Sequence, residues 1–193
     1  MAYQTYTTEA LVCGSWQRNG ADRTFLLYTR ELGMLYATAR SVREERSRQR
    51  YALQECAQIR VSLVKGRSGW RIGSVIDISH PFLAASTRAE RIAVVKLLRT
   101  LRRFISGESA TPEIYDLSVD ALEHLAAGTI SDPQAFALCV EYRILYQLGY
   151  IAPSDEERIV LQLPLDHMMD SVSADIFAAM ESSISTATAV SHL

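Results

Sequence analysis

Five arginines stand within eleven residues of this chain, Arg40, Arg43, Arg46, Arg48 and Arg50, relieved only by Glu44 and Glu45. A guanidinium stays protonated at neutral pH, and its planar fork matches the oxygens of a phosphate. Such a cluster suits polyanion capture, not acid–base catalysis. Lys65 and Arg67, in the glycine-bounded stretch Lys65-Gly66-Arg67-Ser68-Gly69, repeat that chemistry on a smaller scale. A third basic group, Arg88, Arg91, Lys96, Arg99, Arg102 and Arg103, has Glu90 as its only acid. Taken alone, each group also reads as a solvated charged surface.

No catalytic constellation accompanies them. His80, His124, His167 and His192 are scattered, and Asp166-His167 are neighbours in sequence, which says little about geometry. Cys13, Cys56 and Cys139 lie far apart with no ligand-like spacing, so they are expected to be small buried hydrophobes, without metal or disulfide. Gly66, Gly69 and Gly73 lack the lysine-serine ending of a phosphate loop, so ATP hydrolysis and a bound cofactor are not expected.

The elements that must carry these side chains change character along the chain. Residues 4–17, rich in Thr, Val, Tyr and Trp, read as a long strand ending at Asn19-Gly20. Thr24 to Thr29 reads as a second strand, Gly33 to Ser41 as a third, and Glu45 to Leu53 as a loop with a short helical turn. Ala57 to Val64 alternates, with Ile59, Val61 and Leu63 on one face, and Trp70 to Ile78 returns as the fifth strand. Five strands in about eighty residues match a small closed barrel of the oligonucleotide-binding (OB) type. A barrel that size fills its interior with side chains. Of Tyr6, Trp16, Phe25, Tyr28, Tyr36 and Trp70, one or two at most are expected to face a ligand.

After His80-Pro81 the period becomes helical. A helix capped by Ser86 or Thr87 is expected to run to about Ser106, with Ile92, Val95, Leu98, Leu101 and Ile105 as its apolar stripe. Further helices are expected from Pro112 to about Ala127, from Pro133 to Gly149 and from about Ser173 to Val190. Residues 150–164 read as a loop with an extended piece at 159–163. The fold class is therefore α+β, with an N-terminal barrel domain (1–81) followed by an all-α domain (82–193).

Charge divides along the same line. Net charge is −2, yet residues 1–81 hold 12 basic and 7 acidic side chains, and residues 82–193 hold 8 and 15. Such asymmetry suggests halves with different partners. No charged segment precedes an apolar core at the N-terminus and no 18-residue apolar run occurs, so neither a signal peptide nor a membrane span is expected.

Several stretches resemble the N-terminal domain of the RecO family of bacterial recombination and repair mediators. The resemblance rests on TEALVCGSW, on Asp22-Arg23, on Thr29-Arg30-Glu31-Leu32-Gly33 and on the basic, serine-containing Arg43-Glu44-Glu45-Arg46-Ser47-Arg48. Tyr142-Arg143-Ile144-Leu145 with Leu148-Gly149-Tyr150 is similar to the family's helix-ending motif. The match is specific across 5–72, weaker at 86–150 and faint beyond. It implies an OB barrel and a helical domain that bind single- and double-stranded DNA, anneal complementary strands and help load the RecA recombinase. It also implies partnership with RecR and with the acidic tail of the single-stranded-DNA-binding protein, in the bacterial cytoplasm at the nucleoid.

The chain departs from the family in two ways. Many relatives carry four cysteines after the Leu-Gly-Tyr motif, and this chain has none there, so a structural zinc is not expected. It is also shorter than family members usually are, which implies a trimmed helical domain.

On this reading Arg40, Arg43, Arg46, Arg48, Arg50, Lys65 and Arg67 bind DNA by neutralising phosphates. The helical group from Arg88 to Arg103 extends the DNA path or receives an acidic tail among leucines such as Leu97 and Leu101. Two other functions compete with this one: a protein-interaction adaptor whose barrel has little DNA affinity, and an OB protein directed to RNA.

Overall fold

The computed structural model describes residues 4–18, 20–44 and 47–190, apart from the side chain of Asp170. They form two compact units, Met1–Pro81 with Ile105–Asp116, and Phe82–Phe104 with Leu117–Leu193.

In the first unit β1 (Thr5–Gln17), β2 (Arg23–Thr29), β3 (Gly33–Ala39), β4 (Gln58–Gly66) and β5 (Gly69–Ser79) close into a barrel in the order β1-β2-β3-β5-β4. This is the five-stranded OB arrangement that the strand spacing predicts. The thirteen-residue β1 is long enough to serve two neighbours. Its first half pairs with β4 and its second with β2, with a bulge between Val12 and Gly14 where the strand bends. Closure comes from a short parallel contact, Ala37 with Trp70 and Thr38 with Arg71. Alternation sends Val12, Phe25, Leu27, Leu35, Ile59, Val61, Leu63 and Ile72 into one apolar core. The helical turn α1 (Gln49–Ala52) covers part of the barrel through Ala52 and is tied to β5 by Gln49 Nε2, which donates to Gly73 O at 2.6 Å.

Segment 105–116 packs on this barrel by way of the Thr29–Gly33 motif. Gly33 adopts φ +73°, and a Cβ there would stand 2.4 Å from the Ser109 carbonyl oxygen, so no side chain fits. Thr29 Oγ1 donates to Gly33 O at 2.8 Å and accepts from Leu32 N at 3.0 Å, fixing the turn. Arg30 forks onto Asp116, 2.7 and 2.8 Å from its two carboxylate oxygens. Buried Tyr28 bonds Thr111, and its phenol is pushed up to about 12, first by burial.

The second unit is helical. After α2 (Pro81–Ala84) come α3 (Arg88–Phe104), α4 (Pro112–Ala127), whose first turn belongs to the barrel unit, and α5 (Pro133–Gln147). They are followed by α6 (Arg158–Gln162), a 3-10 turn (Leu165–His167), α7 (Met168–Ser171) and α8 (Ala174–Val190). Helix α5 is buried almost all round, Glu141 and Arg143 included, and packs against α3 and α8. Asp132 caps it, accepting from Gln134 N and Ala135 N at 3.0 and 3.1 Å, with Pro133 in the first turn. Gly149, at φ +79°, ends the helical run as Tyr150 N bonds Leu145 O.

Two expectations are corrected here. The buried side of α3 is Ala93, Val94, Leu97, Leu98, Leu101 and Phe104, while Ile92 is 47% exposed and Val95 half-buried. Leu98, Leu101 and Ile105 of the expected stripe are buried, and the buried side is turned from Ile92 and Val95 toward Ala93, Val94 and Leu97. Residues 158–162 are helical instead of extended. Ser154 and Glu157 cap that run reciprocally: Glu157 Oε2 accepts from Ser154 N at 2.8 Å, and Glu157 N donates to Ser154 Oγ at 3.3 Å.

Candidate nucleic-acid interface

Two aromatic side chains of the barrel point outward as neighbours. Across β1, β2 and β3, Gly14 stands opposite Leu26 and Leu26 opposite Tyr36, with Trp16, Thr24 and Thr38 in the next row. That register sets Trp16 beside Tyr36, ring centroids 5.7 Å apart and planes inclined at 54°. They are 42% and 62% exposed. Phe25, Tyr28 and Trp70 are buried, and half-buried Tyr6 packs edge-on against Trp70. Of the six aromatics considered from the sequence, of which one or two at most were expected to face a ligand, Trp16 and Tyr36 are the exposed ones.

Arginines continue the face. Arg18 Nη1 donates to Thr38 Oγ1 at 2.8 Å, in the row beside the aromatic pair. Arg18, Arg40 and Arg71 share a recess of about 210 Å³ with Asp22, Thr38, Ser68 and Trp70. Stacking surface beside guanidinium groups is what a single strand needs: π-faces for bases and charge for phosphates.

The other predicted cations are distributed unevenly. Arg43 and Arg50 line a different recess with Arg23. Arg48 and Arg67 are exposed, the latter in the tight hairpin between Gly66 and Gly69. Arg46 lies outside the described residues. Lys65 is held by a carboxylate: its Nζ is 2.7 Å from Glu108 Oε2 and 4.8 Å above the Trp70 ring. Glu108 also accepts from Trp70 Nε1 at 2.8 Å, and the Lys65 bond followed by the Trp70 bond holds its carboxyl below the usual range. Lys65 thus has less charge to offer a phosphate than its neighbours. Arg30 and Arg60 are likewise paired, with Asp116 and Glu9.

Three arginines that the sequence reading did not single out for binding also line these recesses: Arg18, Arg23 and Arg71. Each is a lone basic residue on or next to a strand. The register, not local density, brings them to the cluster.

On the helical unit, Phe82, Ile92 and Val95 with Arg88, Arg91, Lys96 and Arg99 line a groove of about 500 Å³. Arg91 Nε donates to Ala85 O at 3.1 Å, its guanidinium 5.9 Å from the Phe82 ring, and Lys96 Nζ lies 3.0 Å from Glu141 Oε2. Four of the six cations predicted on this helix therefore share one groove. Arg102 and Arg103 do not line it, and Arg103 donates to Thr188 O at 2.7 Å. The expected leucines, Leu97 and Leu101, are fully buried, so the apolar floor comes from Phe82, Ile92 and Val95. Among the described residues no group of three or more His, Cys, Asp or Glu side chains is placed to hold a metal ion.

A family model described as recombination protein O, C terminal, matches residues 91–158. The DNA repair protein RecO of Desulforudis audaxviator is 31% identical over 146 residues, 75% of this chain and 57% of that one. That of Pelotomaculum thermopropionicum is 29% identical over 147 residues, 75% of this chain and 56% of that one. These matches support a RecO family protein. It spans somewhat more than half the length of the two relatives.

The motifs that carry the RecO resemblance do mostly structural work here. Thr29, Arg30 and Gly33 fix segment 105–116 on the barrel. Arg143, in the helix-ending motif, is buried on α5, donating from Nε to Val160 O at 2.6 Å and from Nη2 to Leu163 O. Burial pulls its pKa down. It clamps the segment that follows the Leu-Gly-Tyr motif.

Proposed function

We propose that this chain is a non-enzymatic, DNA-binding recombination and repair mediator. It binds single- and double-stranded DNA through the barrel, anneals complementary strands and assists RecA loading. The observation that carries this reading is the exposed Trp16–Tyr36 pair continued by Arg18, Arg40 and Arg71 on one barrel face. Relatives named for DNA repair support it. Annealing requires only that two strands be concentrated while their base edges stay free, and backbone capture with face-on stacking does this. Because no side chain needs to enter a groove, the same surface serves duplex and single strand through phosphate contacts.

Partner binding belongs to the α3 groove on this reading. Its apolar floor and its arginine and lysine rim suit an acidic peptide ending in apolar side chains, the chemistry of the single-stranded-DNA-binding protein's tail. RecR is the second partner implied by the resemblance. The site of action is the cytoplasm at the nucleoid, and among the described residues no helix is long and apolar enough to cross a membrane.

Tryptophan fluorescence tests the DNA reading. Adding a single-stranded oligonucleotide at low salt quenches emission in the parent chain. Trp16→Ala, which leaves the buried Trp70, loses the quench and weakens binding. An unchanged quench in that variant rejects the stacking face. If no oligonucleotide binds at all while an acidic peptide binds the helical groove, the chain is an adaptor.

A further inference from the structure

The second basic recess of the barrel is built differently from the stacking face. It encloses about 230 Å³ and is lined by Arg23, Arg43 and Arg50 around Phe25, Val42 and Leu53. Its described lining residues include no carboxylate. The apolar three are almost completely buried and belong to the barrel core, so the recess ends in a floor.

Hydrogen bonds hold its walls in place. Asp22 Oδ1 accepts from Ser41 N at 2.9 Å, where Ser41 takes φ +50°. Arg43 N donates to Ala21 O at 3.1 Å, and Arg43 Nη1 donates to Gly20 O at 3.2 Å. The turn between β1 and β2 is thereby stapled to the loop after β3. Arg50 is steadied from α1, its guanidinium 4.6 Å from the Tyr51 ring and bonded to the Tyr51 hydroxyl at 2.5 Å. Arg23 is the member with an unmet need: its Nε is out of solvent and has no hydrogen-bond partner among the described residues. A buried donor without an acceptor is unfavourable, and Arg23 is the lining residue that carries one.

Charge and shape narrow the ligand. Three arginines line one small space, and their combined charge exceeds what a single backbone phosphodiester, with one negative charge, can match. A phosphomonoester carries about −1.5 to −2 at neutral pH and offers three acceptor oxygens. A floored recess admits a group entering end-on, whereas a continuous backbone would have to pass through it. We propose that Arg23, Arg43 and Arg50 bind the terminal phosphomonoester of a nucleic-acid strand. This rests on the DNA-binding reading and adds recognition of strand ends to it.

The test compares three oligonucleotides of one sequence with an internal label, carrying a 5′-phosphate, a 3′-phosphate or neither, on the full chain at fixed ionic strength. One phosphorylated form binds about tenfold tighter than the unphosphorylated strand, as an added set of charge-assisted bonds provides. Arg23→Gln abolishes that ratio, and Arg50→Gln, on the short surface helix, repeats the result should the first variant fail to fold. Millimolar inorganic phosphate brings the favoured strand to the level of the unphosphorylated one. Equal affinities for all three strands overturn the end-binding site and leave the DNA reading standing. Tight inorganic phosphate binding without any strand preference also overturns it, assigning the recess to the free ion. Failure of every strand to bind overturns both.

Discussion

Trp16 and Tyr36 keep much of their rings in water, and a barrel gains nothing in folding from such exposure. On the proposed function their value is the stacking surface they offer. Truncating either to Ala should weaken single-strand binding by roughly 1–3 kcal/mol for each base that loses its platform. Gly33 illustrates the opposite case, a residue set by backbone and not by ligand. Gly33→Ala forces a Cβ against Ser109 at a positive φ, and should cost about 2 kcal/mol or more in urea unfolding. Asp116 connects the same motif to pH. The Arg30 fork holds its carboxyl below the ordinary value. A depressed carboxyl adds stability above its unfolded pKa, about 3.9, and loses it as pH falls through the folded value. Both partners are partly exposed, so the contribution is about 1 kcal/mol or less. In a pH series of urea melts, Asp116→Asn should be less stable than the parent at pH 7, with the gap closing below about pH 3.9.

Helix α3 shows how an element divides its sides between core and partner. Leu97, fully buried, faces the fold, while Ile92 faces water from the groove. Leu97→Ala should cost about 2–5 kcal/mol in stability. Ile92→Asp should leave stability within about 0.5 kcal/mol and abolish binding of an acidic, apolar-ended peptide measured by calorimetry. The strands were legible because Ile59, Val61 and Leu63 alternate with a two-residue period over a full strand length. Helix α3 was legible as a helix but not in phase, since both of its sides carry apolar residues and small Ala93 gives a weak signal. The short helix α6 was misread because Ile159 to Leu163 resembles a strand. The spacing of Ser154 and Glu157, which caps it, was the available sign.

At the scale of the molecule, basic character is local. Segment 105–116 belongs to the barrel unit and carries Glu108, Glu113 and Asp116, so that unit holds 12 basic and 10 acidic side chains. Two of these acids pair with Lys65 and Arg30, while Arg18, Arg40 and Arg71 line one recess beside Asp22, and Arg23, Arg43 and Arg50 line another. A dense run such as 40–50 is visible in one dimension. Arg18 and Arg71 are some fifty residues apart and meet through the short parallel contact of β3 with β5, which no local pattern announces. The most direct test of the account is therefore the salt dependence of single-strand binding by the parent chain and by an Arg18→Ala, Arg40→Ala, Arg71→Ala variant. Log affinity should fall linearly with log salt in the parent, and the variant's slope should be shallower by up to about 2, near 0.7 for each phosphate contact removed. Affinity indifferent to salt, or a slope that the three substitutions leave untouched, contradicts it.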